Sequence, residues 1–581
     1  MNKNNKEYLE HLRHSCAHLL AAAVMELWPK AKRTIGPAIE DGFYFDFDFG
    51  DVKISEDDFP KIEEKMHELS SKIKEFKRQD LSAEEAKNEY KGNQYKHELI
   101  EEFSEGGKKK ISFYESVGIG YTDLCKGGHV EEPSKELKHF KLLSVAGAYW
   151  KGSEKNPMLT RIYGTCFPTE KDLIEYIEMK REAEKRNHKK IGQELELFMF
   201  HETAPGMAYW LPKGVALYNE LVNFWRVEHK KYGYQEIFSP LINKKELYET
   251  SGHWDHYRES MFLSETEEGE VYAMKPMNCP NAMIVFGSRT RSYKDLPLRL
   301  SDTDTLHRFE KSGTLNGLLR IREFRQDDAH IFVSENQIKE EFKKLFEITE
   351  KFYSIFGLNY SFRLGTRPDD FMGDPKAWEE AEKELKEILD ESGKEYFVLK
   401  GDGAFYGPKI DILMKDSLGR QWQMGTLQLD FQIPSRFKLK YTSEDGSPKI
   451  PVVIHRVIYG SLERFIGIIT EHFAGAFPLW ISPVQVKILP ITDRNTDSAK
   501  KLADKLADSG IRFEIDVRNE TLQAKIRDAQ MEKVPYMIVL GDKEEASGML
   551  SVRDRKGKTE QIDKEAFLAR LKKEIDERSN L

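Results

Sequence analysis

The stretch GRQWQMGTLQLDF, from Gly419 to Phe431, alternates polar and apolar side chains in the way that is typical of a strand with one buried face. LPLRLSD, from Leu296 to Asp302, alternates in a similar way. Between about residues 190 and 480 such strands are separated by helical patterns, but without the regular strand–helix–strand order of a doubly wound fold. This part of the chain is therefore predicted to contain an antiparallel sheet.

The block before it is predicted to be α+β. Residues 1–165 contain the helical pattern HLRHSCAHLLAAAVMELW, then GFYFDFDF, a charged helical stretch, the loop EGGKKK and short strands around GIGYTDLCKGGHV. Residues 166–188 predict an exposed linker helix, with Thr169 as its N-cap and Asp172 three residues later.

The last block has a different rhythm. Residues 482–581 alternate strands and helices, and one helix is predicted from about Asp497 to Ser509. This order predicts a small α/β domain with a mainly parallel sheet. With residues 189–481 as the central block, the chain is predicted to be a multidomain α+β protein.

Composition narrows the possible functions. The chain has 581 residues, 39% of them hydrophobic and 33% charged, with a mean hydropathy of -0.62, so it is predicted to be soluble with several cores. No signal peptide is recognisable and no window approaches the roughly 20 apolar residues of a membrane span, so a cytoplasmic location is expected. Four scattered cysteines suit structural thiols or metal ligands better than a disulfide scaffold. A net charge of -9 neither requires nor excludes a nucleic-acid partner.

The central block contains a candidate metal set. Cys279 lies in MKPMNCPNAM, His330 in RQDDAHIFV and His455 in VVIHRVIYGSLERFIG. One thiolate and two imidazoles with a fourth position open are the make-up of a functional zinc site rather than of a closed structural one. Because the three residues are far apart in sequence, a buried cysteine and two unrelated histidines remain an alternative.

The motifs around these residues resemble a known class of enzymes. LHRFEKSGTLNGLLRIREFRQDDAHIF, Leu306–Phe332, resembles the second signature motif of class II aminoacyl-tRNA synthetases, and GSLERFIG, Gly460–Gly467, resembles the third. YGYQEIFSPLI fits the first motif, with Pro240 at the position that lies at the dimer interface in that class. Together with MNCP, QDDAHIF, FYGPKID, WQMGTLQLDF and IHRVIYGSLERFIG, these motifs resemble the threonyl-tRNA synthetase family over nearly the whole chain.

The resemblance implies a homodimeric threonine–tRNA ligase. Such an enzyme uses ATP with magnesium to convert L-threonine to threonyl-adenylate, releases pyrophosphate, transfers threonine to the 3′ end of the threonine tRNA and hydrolyses mischarged Ser-tRNA. It implies an editing domain at residues 1–165, a class II catalytic domain at residues 189–481 and an anticodon-binding domain at residues 482–581. Neither a membrane nor DNA is an expected partner.

The implied synthetic chemistry is attack of the threonine carboxylate on the α-phosphorus of ATP, which needs neutralised charge and aligned reactants. By resemblance, Arg308 and Arg464 grip the phosphates, since a planar guanidinium binds two phosphate oxygens at once. Glu310 and Phe324 match positions that hold adenine. The residues implied to bind ATP are Arg308, Glu310, Arg320, Phe324, Gln423 and Arg464. Those implied in catalysis are Arg308, Gln326, Asp328, Tyr406, Lys409 and Arg464.

The resemblance also gives the metal a role. Zinc held by Cys279, His330 and His455, one ion per subunit, would accept the amino and hydroxyl groups of threonine. Valine lacks the hydroxyl and is excluded, whereas serine lacks only one methyl group, a difference of about 1 to 3 kcal/mol, and is expected to leak through. The residues implied to surround threonine are Met277, Asp328, Tyr406 and Gln428.

One strand needs an irregularity. Gln423 and Gln428 are an odd and an even position, so strict alternation would place them on opposite faces. The resemblance directs both side chains toward the pocket. We therefore expect a bulge or kink at Gly425, which lies between them.

The first block resembles the editing domain of bacterial threonyl-tRNA synthetases. His14 and His18 are four apart on a helical pattern, and Cys125 and His129 are four apart in DLCKGGH. The same groups could form a tetrahedral zinc set, or they could position water and the mischarged ester without metal. From the resemblance we expect no metal here. The residues implied in editing are His14, His18, Lys96, Asp123, Cys125 and His129.

The last block resembles the anticodon-binding domain that several class II enzymes share. Amide, carboxylate and guanidinium groups suit unstacked loop bases. The residues at matching positions are Asn519, Arg527, Glu544 and Arg553.

Two alternatives and one departure remain. A related class II synthetase, such as the prolyl enzyme, would not need the cysteine and histidine set. A non-catalytic synthetase-like RNA-binding regulator would be expected to have lost at least one of Arg308, Glu310 and Arg464, which are all present. Bacterial members commonly begin with a further small β-rich domain, whereas Met1 here almost directly precedes the editing helix, so that domain is expected to be naturally absent or trimmed.

Overall fold

The helix Lys6–Leu27 begins the first of two units, residues 1–181 and 182–581, in a computed structural model that describes residues 6–105 and 110–578. Its run of leucine and alanine has high helix propensity, and its middle is buried against the strand Gly42–Asp48. The predicted helix at HLRHSCAHLLAAAVMELW is confirmed. The predicted loop EGGKKK falls largely outside the described residues.

The first unit has two antiparallel sheets. Its helices are Lys6–Leu27, Phe59–Ser70, Ala83–Glu89, Gln94–Glu105, Pro133–Glu136 and most of Glu170–Lys185. One sheet consists of Lys32–Arg33, Ala38–Ile39, Gly42–Asp48, His139–Tyr149 and Met158–Phe167, and the other of Glu75–Leu81, Ile111–Val117 and Tyr121–Leu124.

The helix Glu170–Lys185 lies where a linker helix is predicted. The backbone N–H of Asp172 donates a 3.2 Å hydrogen bond to the Thr169 hydroxyl, as expected for an N-cap. Only one residue of this helix, Tyr176, is buried, which fits the mixed charges of its sequence.

The second unit is built around an eight-stranded sheet. In spatial order its strands are Gln235–Ile237, Leu298–Asp302, Asp328–Val333, Val452–Val457, Gln421–Asp430, Lys409–Lys415, Asn359–Gly365 and Tyr396–Leu399. Only the two edge strands pair in parallel, so the predicted antiparallel sheet is confirmed. The main helices beside it are His188–Glu194, Pro212–Lys231, Lys245–Ser251, His253–Tyr257, Cys279–Gly287, Ile338–Ser354, Pro375–Ser392, Ile433–Arg436 and Leu462–His472.

Short strands complete the central block. They form four small sheets: Phe198–Phe200 with Ala208–Trp210; Ile242–Lys244, Val271–Met274 and Leu263–Glu265; Arg291–Ser292, Tyr441–Thr442 and Pro448–Lys449; and the hairpin of Thr305–His307 with Glu323–Arg325. The hairpin lies within the stretch that resembles the second signature motif.

The last hundred residues form a separate five-stranded sheet with its own core. Its strands in spatial order are Phe513–Ile515, Val486–Pro490, Tyr536–Leu540, Met549–Asp554 and Thr559–Asp563, and its helices are Thr496–Asp508, Leu522–Met531, Asp542–Ser547 and Lys564–Asp576. The first three strands pair in parallel. Met549–Asp554 pairs antiparallel with both Tyr536–Leu540 and Thr559–Asp563, so among these five strands it alone runs in the opposite direction. Four of the five strands therefore run in the same direction, as the prediction of a mainly parallel sheet requires, and MLSVRD and TEQID add a hairpin that the sequence analysis did not predict.

No helix in the part of the chain that the structure describes is both long and apolar enough to cross a membrane.

Candidate functional site

The antiparallel strands of the second unit place four polar side chains in one row. His330 is opposite His455, His455 is opposite Gln428, and Gln428 is opposite Lys409. Residues directly opposite each other in neighbouring strands point to the same face of a sheet. All four line one cavity of about 490 Å³, so the strand register by itself assembles much of this site.

The candidate metal ligands meet at one end of this row. Cys279 begins the helix Cys279–Gly287, and its Sγ and the ring nitrogens of His330 and His455 all lie within 4.8 Å of one another. The three residues are buried, and burial lowers the pKa of His330 well below its ordinary value. The sequence prediction that these residues come together is confirmed.

Unpartnered nitrogens make this cluster suitable for a metal. Within the described residues, neither ring nitrogen of His330 has a hydrogen-bond partner, and Nδ1 of His455 has none. Nε2 of His455 contacts the Asp430 carboxylate at 2.9 Å, which leaves Nδ1 as its ligand atom. A carboxylate behind a histidine is the usual outer support of a zinc ligand, and Cys with two His is a donor set that zinc prefers.

Polar groups lie next to this cluster. The Tyr406 hydroxyl donates a 2.6 Å hydrogen bond to Oε1 of Gln428. Nδ2 of Asn278 donates a 3.0 Å hydrogen bond to Asp328, whose pKa is raised by burial. The residues of this group that line the cavity are Met277, Gln326, Asp328, Tyr406 and Gln428. The side chains predicted to surround threonine are thus brought together.

The strand Gln421–Asp430 has the irregularity that the sequence predicts. Its pairing shifts between Asp411 and Leu413 of the neighbouring strand, so two residues, the second of them Gly425, stand opposite one. A Cβ at Gly425 would lie 2.3 Å from a backbone carbonyl oxygen of the strand on the other side. The extra residue of the bulge shifts the alternation of side chains between the two faces of the sheet, so that Gln423 and Gln428 both line the cavity.

Arginines from separate elements extend the site. Nε of Arg308 donates to the Pro276 carbonyl at 3.1 Å, and its guanidinium lies 5.1 Å from the centre of the Phe324 ring. Arg464 donates to the carbonyl oxygens of Leu319 and Gln423 at 2.9 and 3.2 Å. These contacts place Arg308 beside the segment that precedes Cys279 and Arg464 beside the strand that carries Gln423.

Positive charge accumulates here. The pKa of Arg464 is lowered mainly by burial, and the charges of Arg320 and Arg308 lower it further. Arg320 is ion-paired with Glu310 at 2.8 Å. Of the predicted ATP residues, Arg308 and Gln423 line the cavity, whereas Glu310, Arg320, Phe324 and Arg464 lie outside its lining.

The first unit contains a second cluster. The candidate ligand atoms of His14, His18, Cys125 and His129 lie within 4.8 Å of one another, and three of these side chains, all but His129, line a cavity of about 850 Å³. Sγ of Cys125 lies 3.5 Å from Nε2 of His14 and 3.3 Å from Nε2 of His129. The outer nitrogens of these two rings contact the carbonyl of Gly128 and a serine hydroxyl.

Burial sets the charge of this cluster. It lowers the pKa of His18 to about 3 and raises the pKa of Cys125 to about 11, so the imidazole and the thiol are both neutral near pH 7. Lys96 and Asp123 are ion-paired at 2.7 Å with almost no exposure. Burial acts to raise the pKa of Asp123, but the charges of Lys96 and Arg33 outweigh it and hold that pKa below its usual range. All six predicted editing residues belong to this one region.

The predicted anticodon residues do not form one cluster. Asn519 follows the strand Phe513–Ile515 and is exposed, and Arg527 is exposed and ion-paired with the residue after it. Glu544 accepts a hydrogen bond from a backbone N–H at the start of its own helix. Arg553 is opposite Met537, near the beginning of the strand Tyr536–Leu540, whereas Glu544 follows the end of that strand.

Two buried carboxylates that contact the lining of the synthetic cavity were missed from the sequence. Asp411 lies 2.6 Å from Arg363 and 3.1 Å from Lys409, and Asp430 contacts His455, a candidate metal ligand, at 2.9 Å. Alternation contained the signal, because Asp411 is two residues after Lys409 and Asp430 is two residues after Gln428.

Comparisons with known proteins agree with this architecture. Residues 262–473 match the tRNA synthetase class II core domain (G, H, P, S and T), residues 485–574 match the anticodon binding domain, and residues 111–163 match the threonyl and alanyl tRNA synthetase second additional domain. The fold and these matches define a class II aminoacyl-tRNA synthetase.

Relatives narrow this class further. A threonine–tRNA ligase of Thermotoga neapolitana is 51% identical over 98% of this chain and 88% of its own length, and one of Clostridium botulinum is 50% identical over 98% and 89%. The crystal structure of the RNA binding domain of threonyl-tRNA synthetase from Cryptosporidium parvum is 40% identical, with a TM-score of 0.65 over 67% of this chain and 98% of that one. The chain belongs to the threonine–tRNA ligase family.

Proposed function

We propose that this protein is a threonine–tRNA ligase with two active sites. The central block activates L-threonine with ATP and transfers it to the threonine tRNA, and the first unit hydrolyses mischarged Ser-tRNA. The observation that supports the proposal best is the meeting of Cys279, His330 and His455 with the polar row and Arg308 in one cavity. The proposed domains are residues 1–165 for editing, 166–188 for the linker, 189–481 for synthesis and 482–581 for the anticodon.

The arginines perform the phosphate chemistry in this proposal. Arg308 lines the cavity with its fork held by a backbone carbonyl, and it neutralises the α-phosphate as the threonine carboxylate attacks. Arg464 and Arg320 bind the rest of the triphosphate together with magnesium, and Phe324 and Glu310 hold adenine. Gln423 is fixed by Arg363 at 2.6 Å and completes the ATP side.

The amino-acid side is formed by neutral and acidic groups. Asp328, Tyr406 and Gln428 orient threonine through hydrogen bonds, and Met277 limits the space beside its methyl group. Cys279, His330 and His455 would hold zinc, which would supply a Lewis acid that favours a hydroxyl-bearing side chain over an isosteric apolar one. Lys409 balances the carboxylates of Asp402 and Asp411 at the end of the row.

The editing cluster handles a proton and a water in this proposal. His14 lines the cavity and is neutral because burial lowers its pKa, so in this proposal it accepts the proton of the water that attacks the seryl ester, while His129 contacts Cys125 from behind the cavity wall. Cys125 and His18 position the ester, and the Lys96–Asp123 pair fixes the cavity wall. No metal is needed for these roles.

A second copy and the tRNA are the proposed macromolecular partners of a cytoplasmic enzyme. Pro240 is exposed among apolar neighbours, since Phe238 is 70% and Ile242 55% exposed, which suits a homodimer contact. The residues proposed to contact anticodon bases are Asn519, Arg527, Glu544 and Arg553.

Exchange of pyrophosphate into ATP tests the synthetic proposal. Threonine should support exchange, serine should support it more weakly, and valine and proline should not. Exchange that depends on proline would favour the prolyl alternative. If none of the four amino acids supports exchange, the RNA-binding regulator would be favoured.

A further inference from the structure

Lys275 is a fully buried lysine four residues before Cys279, and none of the roles described above uses it. Its Nζ donates a 2.8 Å hydrogen bond to the Ser239 hydroxyl and lies 3.0 Å from the Asp304 carboxylate and 3.8 Å from that of Asp302. A buried ammonium is costly unless it is paired and hydrogen-bonded. These partners therefore fix the position of the side chain.

The backbone of the same residue is held on both sides. Its N–H donates to the Leu241 carbonyl at 2.8 Å, and its carbonyl accepts from the N–H of His307 at 2.9 Å. The carbonyl of the next residue, Pro276, accepts from Nε of Arg308 at 3.1 Å. The segment thus contacts the arginine that lines the ATP side of the cavity.

The segment then reaches the amino-acid side. Nδ2 of Asn278 is buried and donates to the backbone carbonyl of Asp302 at 3.3 Å and to the Asp328 carboxylate at 3.0 Å. Cys279, the next residue, is the first residue of its helix and a candidate metal ligand. Five consecutive residues, 275–279, therefore contact Arg308 and Asp328 and include Cys279.

We propose that Lys275 is a positioning residue for the synthetic site: its ion pair with Asp304 fixes the segment 275–279, and thereby sets the positions of Cys279 and Asp328. This inference rests on the proposed function. It differs from a role in general stability, because it requires the metal and threonine to be held less well when the lysine is changed.

The test compares Lys275→Met with wild type in the full chain. Methionine keeps the length of the side chain and removes its charge. We expect the KM for threonine to rise at least tenfold and zinc to be released to a chelator at least tenfold faster. Deacylation of Ser-tRNA by the same protein should not change, since its site lies in the first unit.

A matched control is Lys343→Met, which changes an exposed lysine of the same unit and should match wild type in every assay. A Lys275→Met protein with wild-type zinc retention and a wild-type KM for threonine would overturn the inference, even if its melting temperature fell. Wild type is assayed first, and absence of threonine-dependent exchange in wild type would contradict the proposed function instead.

Asp304→Asn supports the test if Lys275→Met does not fold. It keeps the lysine, weakens the ion pair and changes a side chain that is 16% exposed. The expected effects have the same direction and are smaller. Zinc release and a KM for threonine that are both unchanged in Asp304→Asn would likewise overturn the inference.

Discussion

Asp430 determines which nitrogen of His455 faces the cavity. Its carboxylate contacts Nε2 of that ring, so Nδ1 is left for the metal, and it also accepts hydrogen bonds from two backbone N–H groups of the turn that follows it. Sequence reasoning proposed the ligands through their motifs and missed this carboxylate. No motif identifies a residue that only supports a ligand. Asp430 is nevertheless two residues after Gln428, so strand alternation places both side chains on the same face of the sheet.

Asp430→Asn should lower zinc affinity about 10- to 100-fold, because the amide still caps the turn but supports the imidazole less well. Competition with a chelator measures the affinity.

Cys279→Ser should lose zinc altogether together with threonine activation, and Asp445→Asn, at an unburied carboxylate, should retain both. Active wild-type protein without zinc would contradict the metal assignment itself.

Arg308→Ala should slow threonine activation by about 100-fold or more, since it removes a preorganised cation from the α-phosphate. Pre-steady-state adenylate formation measures this rate, and circular dichroism checks the fold. Arg308→Lys should recover only part of the loss, because an ammonium lacks the planar fork. An alanine variant that forms adenylate at nearly the normal rate would show that another residue binds this phosphate.

At the scale of elements, the bulge at Gly425 connects backbone geometry to the substrate pocket. Gly425→Ala would place Cβ 2.3 Å from the carbonyl oxygen of Val457, so the strands must separate locally. We expect a loss of about 1 to 3 kcal/mol in the free energy of unfolding and a higher KM for ATP or threonine. Urea denaturation and steady-state kinetics measure these effects.

The control for that change is Gly313→Ala, where no atom lies within 4 Å of the added Cβ. It should leave the free energy of unfolding unchanged. Equal stability of Gly425→Ala and wild type would mean that the sheet absorbs the methyl group without strain.

Elements also show how far sequence reasoning reached. Alternation predicted the strand Gln421–Asp430, and two glutamines of opposite parity predicted its bulge. In the last sheet the same method found the three strands that pair in parallel and missed the hairpin that follows them. The hairpin strands Met549–Asp554 and Thr559–Asp563 are partly exposed and polar, so their period was overlooked.

For the whole molecule, the two clusters predict separable activities. Changing both His14 and His18 to Ala should abolish deacylation of Ser-tRNA and leave threonine charging nearly intact, because neither residue belongs to the ATP site. His67→Ala, at an exposed histidine of the same unit, should deacylate like wild type. Loss of threonine charging in the double variant would assign these histidines to structure or synthesis.

Metal removal separates the sites by a different property. Dialysis against a zinc chelator should abolish threonine activation and spare deacylation, since only the synthetic cluster is proposed to hold metal. Both activities are measured on the same sample, and added zinc should restore the first. Loss of deacylation on chelation would instead support the tetrahedral zinc alternative at His14, His18, Cys125 and His129.

The proposed metal ligands of the synthetic site come from one helix start and two strands that only folding brings together, with His330 and His455 paired in the middle of the main sheet. An ion bound there stabilises the folded unit by mass action and has no equivalent site in the unfolded chain. Each tenfold rise in free zinc above its dissociation constant adds about 1.4 kcal/mol to the free energy of unfolding. Under the proposed zinc assignment, a shortage of zinc would therefore make the enzyme easier to unfold as well as inactive in threonine activation.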